Sequence, residues 1–244
     1  MNHSNKDLKN FPVGSLTSNE VIREIDTTLR KNIDKSLDKN PEVFSKLMEY
    51  VNLLYYWRRK IPNVNASVIL DEVNYDMLCS INIGANGMYR IANSCLRSAI
   101  ELGLSFFYFL DYNYKFLLWK EDKYDIKWCE ISDENTGILS NEYIGLFVKE
   151  ITVVNFIDEV KKTYRECSQY VHGKYHYMHA FQENKIKFDS EQLNEWSDLF
   201  QKVSEILIIY LTIRFKNMLN DFDEEEQELT KEILKQYGMM GVIE

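Results

Sequence analysis

The chain has 244 residues, a formal charge of −9, and only 9 Gly and 3 Pro. That length can bury a sizeable core without a second domain, and the scarcity of turn residues excludes a turn-rich all-β fold in favour of long helices. The negative balance excludes a protein that coats nucleic acid non-specifically, while leaving room for a small, locally basic site.

Residues 1 to about 18 read as a polar lead, without the apolar stretch of a secretory leader. Cys79, Cys95, Cys129 and Cys167 are widely spaced with no CxxC pair, so reduced thiols in a cytoplasmic protein are expected. The most apolar run, Leu102 to Leu110, lies between Glu101 and Asp111 and is too short to span a bilayer. No membrane partner is expected.

A first helix is predicted from Asn19 to about Leu37, with Val21, Ile22, Ile25 and Leu29 at helical spacing. In the next, Asn40 is placed to cap, Pro41 suits the first turn, and Arg58-Arg59-Lys60 suit the negative end. Its apolar face is Phe44, Leu47, Met48, Val51, Leu54 and Tyr55. Ile61 to Asn65 interrupts, and a helical region resumes between Asp71 and Asp111. Met88, Ile91, Cys95, Leu96, Ala99 and Ile100 form its buried stripe, and Arg90, Ser94, Arg97 and Glu101 a polar one. A charged, irregular loop from about Lys120 to Ser140 carries Trp128, with Trp119 just before it, over the core.

A short helix is predicted at Asn141 to Glu150, then one from about Val153 to His172. The second has Val153, Ile157, Val160, Tyr164, Cys167 and Val171 inward and Gly173 as a left-handed terminator. Ser190 is expected to cap a long helix through about Leu219, apolar all round at Ile206 to Leu211 and therefore central. The acidic run Asp221 to Glu228 reads as a helix start, and the last helix, Asp223 to Tyr237, stops at Gly238. No strand-like alternation or internal repeat is visible. The fold class is all-α, an antiparallel up-and-down helical bundle with additional N-terminal helices.

One segment carries the chemistry: Tyr164-Arg-Glu-Cys-Ser-Gln-Tyr-Val-His172-Gly-Lys-Tyr175. Seven residues are almost two helical turns, so Arg165 and His172 project from nearly one face, separated by roughly 10 Å of rise. Arg165 stays charged and can hold two phosphate oxygens at once. An imidazole such as that of His172 ordinarily titrates near neutral pH and can pass a proton. The plainer reading pairs Arg165 with Glu166 or another acid and makes His172 a helix cap. Ser168 and Gln169 lie between them and can orient a phosphate, or are ordinary polar positions. Arg97 and Glu101 form either a simple ion pair, worth about 0.3–0.5 kcal/mol when exposed, or a buttress beside the ridge. Lys161, Lys162, Arg165 and Lys174, with Tyr164, Tyr170 and Tyr175 between, read as a local basic-aromatic strip for single-stranded RNA. His172, His176 and His179 have the spacing of a zinc face, but Gly173 ends the helix before they can share it, so no metal is expected. No phosphate-cradling glycine loop is present.

Arg165, six residues and His172 fit the Arg-x(4–6)-His signature. With Leu96-Arg97-Ser-Ala-Ile-Glu101 on an earlier helix and Cys167 to Gly173 around the pair, the chain resembles the HEPN superfamily (higher eukaryotes and prokaryotes nucleotide-binding domains). The likeness is to its prokaryotic abortive-infection and toxin members and covers roughly residues 75–220. It implies a lead and helical extension over residues 1–74 and a HEPN-like bundle over 75–244, forming one compact domain overall. It further implies a homodimer whose paired Arg165 and His172 line one cleft, cleaving RNA without metal or cofactor. The supporting or substrate-binding residues would be Arg97, Glu101, Ser168, Gln169, Lys174 and Tyr175. An antitoxin or another defence-system protein is the implied partner. Some toxins of the superfamily carry His-x-Tyr, whose tyrosine a partner nucleotidyltransferase adenylylates. Here His172-Gly-Lys-Tyr175 is one residue longer, with Tyr177 nearby, and that departure weighs against such regulation. The alternative, from a different class, is a non-catalytic helical module that binds RNA, a nucleotide or a partner protein.

Overall fold

A computed structural model describes residues 18–148, 153–177 and 186–243. Among them there is no strand, and the helices are α1 (Ser18–Lys39), α2 (Pro41–Lys60), α3 (Val68–Ala85), α4 (Tyr89–Asp111), α5 (Asn113–Lys120), α6 (Trp128–Ile131), α7 (Asn141–Gly145), α8 (Val154–Val171), α9 (Ser190–Phe215) and α10 (Glu224–Gln236). The protein is an all-α helical bundle, and among the described residues no helix is long and apolar enough to cross a membrane.

Contacts along the helices set their directions. Arg90 and Arg97 of α4 meet Tyr170 and Ser168 of α8, so these two are antiparallel. Tyr89 and Asp111 of α4 meet Asp189 and Arg214 at the two ends of α9, so those run together. Phe44 and Tyr50 of α2 meet Trp196 and Glu205 of α9, and Ser80 and Val73 of α3 lie by Ala92 and Phe107 of α4, so helices α2, α4 and α9 point one way and α3 and α8 the other. The α9 segment Ile206 to Leu211 is buried on every side, as its all-round apolar character requires. A buried polar chain crosses this core: Trp196 Nε1 donates to Ser80 Oγ (3.0 Å), which donates to the Ala92 carbonyl (3.0 Å). Burying the indole N–H and the hydroxyl is tolerable because each has a partner.

Several local expectations differ from the structure. The expected helical region from Asp71 to Asp111 is two helices. Gly87, at φ +80°, turns the chain between α3 and α4, a conformation that a β-carbon disfavours. Leu96, Ala99 and Ile100 are buried as expected, but Met88 and Cys95 are only half-buried and Ile91 is 52% exposed, and Ala92 and Asn93 face the core in their place. On α2, Met48 is half-buried and Tyr55 exposed, while Tyr50, Leu53 and Trp57 face the core. Asn40 does not cap α2: its amide donates back to the Ser36 carbonyl at 3.2 Å and closes α1. Asp189, not Ser190, caps α9 by accepting from the Glu191 and Gln192 N–H groups. α9 ends at Phe215 and continues to Asp221 as a 3-10 turn. Within the loop from Lys120 to Ser140 sits the short helix α6, and α7 ends at Gly145, short of Glu150, which lies outside the described residues. The boundary drawn near residue 74 falls inside α3, and the apolar core is continuous from Phe44 to Val242. Residues 1–17, with most of the polar lead, lie outside the described residues.

Candidate functional site

α8 ends by the rules that its sequence announces. Gly173 has φ +59°. The N–H of Gly173 donates to the Tyr170 carbonyl and that of Lys174 to the Gln169 carbonyl, both at 3.4 Å, the paired bonds of a left-handed helix terminator. His172 is therefore the last residue before the chain leaves the helix, with φ −74° and ψ 2°. The Arg165 and His172 side chains are both exposed. Among the described residues neither has an ion pair or a side-chain hydrogen bond, so Arg165 does not pair with Glu166.

The two flanks of this ridge differ. At about 100° per residue, Tyr164 and Ser168 sit about 100° and 60° round the helix from Arg165 on one side, and Glu166 and Tyr170 about 100° and 140° on the other. The first side meets α4. Arg97 Nε donates to Ser168 Oγ (2.8 Å), Arg97 Nη1 lies 2.7 Å from a Glu101 carboxylate oxygen, and the Arg97 guanidinium carbon is 4.0 Å from the Tyr164 ring centroid. Arg97 also bonds the Tyr164 hydroxyl, which donates to Glu101 at 3.1 Å. Trp128 of α6 stacks on Tyr164 with ring planes 4° apart. Burial, followed by the nearby Glu101 carboxylate, pushes the Tyr164 phenol above the ordinary tyrosine range despite the opposing pull of Arg97, so it stays a neutral donor.

On the second side, Glu166, Tyr170, Tyr177, Glu195 and Asp198 border a cavity of about 360 Å³ between α8 and α9. Partial burial, then Glu191, Asp189 and Glu166, raises the Glu195 carboxyl above its usual range. The ridge thus separates a flank toward α9 where Glu166, Glu195 and Asp198 outnumber Lys202 from a flank toward α4 where the charge of Arg97 is met by Glu101.

Ser168 is spoken for by Arg97 and by the Tyr164 carbonyl, to which it donates at 2.8 Å, while Gln169 is half-buried on the ridge itself. Lys174 and Tyr175 are exposed just past the terminator. The basic-aromatic strip does not form as expected. Tyr164 and Tyr170 are buried against α4 and α9, Lys161 lies 3.6 Å from Glu134, and Lys162 lies 3.5 Å from Glu159. Val171, expected inward, is 46% exposed because the helix ends beside it. His179 and the His176 side chain lie outside the described residues. Sequence reasoning missed the role of Arg90, whose Nε donates to the Tyr170 carbonyl at 3.2 Å. Its place at the head of the polar stripe Arg90, Ser94, Arg97 and Glu101 was the available signal. The stacking of Trp128 on Tyr164 had none, because a loop residue has no periodic constraint.

Comparisons with protein-family models, curated proteins and solved structures give no match to this chain. Its function is therefore read from its own side chains.

Proposed function

We propose that this protein is a metal-independent endoribonuclease of the HEPN type, a cytoplasmic homodimer acting as a toxin or phage-defence component. The observation that carries the reading is the joint exposure of Arg165 and His172 on one ridge of α8, neither of them engaged with the rest of the protein among the described residues.

RNA brings its own nucleophile, so the protein has only to position it, move protons and offset charge. His172 takes the proton of the 2′-hydroxyl as its oxygen forms a bond to phosphorus. The bond from phosphorus to the 5′-oxygen breaks, and that oxygen receives a proton from the paired histidine of the dimer or from water. The products are a 2′,3′-cyclic phosphate and a 5′-hydroxyl. Arg165 holds the phosphate oxygens as their charge rises. Arg97 and Glu101 act indirectly, by holding the turn of α8 that carries Ser168.

The acidic flank of Glu166, Glu195 and Asp198 favours a second reading, a non-catalytic binding module, because it weakens any broad hold on nucleic acid. The discriminating experiment incubates the purified protein and a His172→Ala variant with labelled RNA in excess chelator. Cleavage by the wild type alone, with helicity and oligomeric state equal in both, supports the nuclease. Binding without cut products supports the module, and cleavage that survives His172→Ala defeats the mechanism.

A further inference from the structure

The C-terminal end of α8 is a poor place to bring an anion. Its last carbonyls carry a partial negative charge of about half an elementary unit, and the acidic flank adds Glu166 and Glu195. Any phosphate that reaches His172 must approach from the other side, where α4 begins. There the Nε of Arg90 is bound to the Tyr170 carbonyl at 3.2 Å. A β-carbon built on Gly173 would lie 3.4 Å from Arg90 Nη2, so the guanidinium rests over the residue that follows His172. Arg90 is exposed, and among the described residues it makes no ion pair. Arg97, one step further along the same stripe, differs: its charge is met by Glu101 at 2.7 Å.

We propose that Arg90 is a third phosphate-binding cation of the ridge, so that an RNA backbone lies along the α4 side of α8 and runs past Arg165, His172 and Arg90. Its Nε offsets the Tyr170 carbonyl, and the guanidinium of this exposed residue has N–H groups left over for a grip on phosphate. The same arrangement leaves the α9 side of the ridge clear of nucleic acid. This inference rests on the ribonuclease reading, with α8 as the RNA-contacting helix.

The test measures binding of a labelled single-stranded RNA oligonucleotide as a function of salt, with His172→Ala present throughout to prevent cutting. Arg90→Gln, which keeps a donor for the Tyr170 carbonyl, is expected to weaken binding about fivefold at low salt and to make the slope of log affinity against log salt less negative by about 0.7. Glu195→Gln on the other flank is expected to leave binding unchanged or to tighten it. A lost cap alone would lower thermal stability without changing the salt slope, and that result overturns the proposal. If the His172→Ala protein carrying Arg90 does not bind RNA and the wild-type protein does not cut it, the ribonuclease reading and this inference fall together. If it does, and Arg90→Gln binds with the same affinity and slope, only the role of Arg90 is lost.

Discussion

Arg97 Nε and Ser168 Oγ are 2.8 Å apart, and this bond ties α4 to the turn of α8 lying between Arg165 and His172. The bond is one of a set, because the same guanidinium meets Glu101 and the Tyr164 ring. Arg97→Ala removes all of these contacts and leaves Glu101 and the Tyr164 hydroxyl with only each other. The expected loss of unfolding free energy is about 2 kcal/mol, measured by urea denaturation. Arg97→Lys keeps the charge without the planar fork and should lose about half as much. A loss below a few tenths of a kcal/mol for the alanine variant would mean that the network does not hold the two helices together.

Gly173 sets where α8 stops. At φ +59° an added β-carbon strains the backbone, while its nearest neighbour, Arg90 Nη2 at 3.4 Å, leaves room for it. Gly173→Ala should cost about 1 kcal/mol of stability. Gly173→Asn should cost less, since asparagine tolerates the left-handed region. Thermal unfolding of the two variants checks the order. If alanine is tolerated as well as asparagine, the terminator geometry is not what ends this helix.

The helices that could be read from the sequence are those whose periodicity and ends agree. α8 has an inward stripe from Val153 to Cys167 and a glycine at the required place, and α10 has an acidic start and Gly238 past its end. The break at Gly87 was hidden because the apolar residues Ile81 and Ile83 before it and Met88 and Ile91 after it allow one uninterrupted pattern. α5 was hidden because Asn113 to Lys120 buries only Phe116 and shows no face. For the candidate site, spacing alone placed Arg165 and His172 together on the exposed side of α8. Its flanks were not legible, because the partners of Tyr164 and Tyr170 come from α4, α6 and α9, tens of residues away along the chain.

Glu205 is 1% exposed at the middle of α9, with no ion pair among the described residues. Its two oxygens accept instead from Tyr50 (3.0 Å), Gln201 (2.7 Å), Gln236 (3.3 Å) and Tyr237 (2.9 Å), which join α2, α9 and the end of α10. Glu205→Leu strands four donors and should cost about 3 kcal/mol in chemical denaturation. Adding Tyr50→Phe and Tyr237→Phe should recover part of that loss, because the stranded hydroxyls are then gone. Burial first, then the charge of Glu205, holds both phenols above the usual tyrosine range. In Glu205→Gln they should ionise at lower pH than in the wild type, followed by ultraviolet absorbance. Unchanged phenol titration would show that burial alone sets it.

Glu130 predicts how stability responds to acid. Partial burial pushes its carboxyl up, but hydrogen bonds from Lys115, Tyr108 (2.6 Å) and Tyr124 (2.9 Å) outweigh that and hold it at about 2, against an ordinary 4.5. A carboxylate with a depressed folded-state pKa binds protons more readily in the unfolded chain, so its contribution is present above about pH 4.5 and disappears as the pH falls toward 2. Because Glu130 keeps over a quarter of its side-chain surface in water, screening reduces the contribution to about 1 kcal/mol. Glu130→Gln should therefore be less stable than the wild type at pH 7, and the gap should close on acidification across that window. Urea titrations of both proteins at pH 7 and pH 3 measure it. A gap of constant size would mean that the loss on substitution comes from shape or packing and not from the charge.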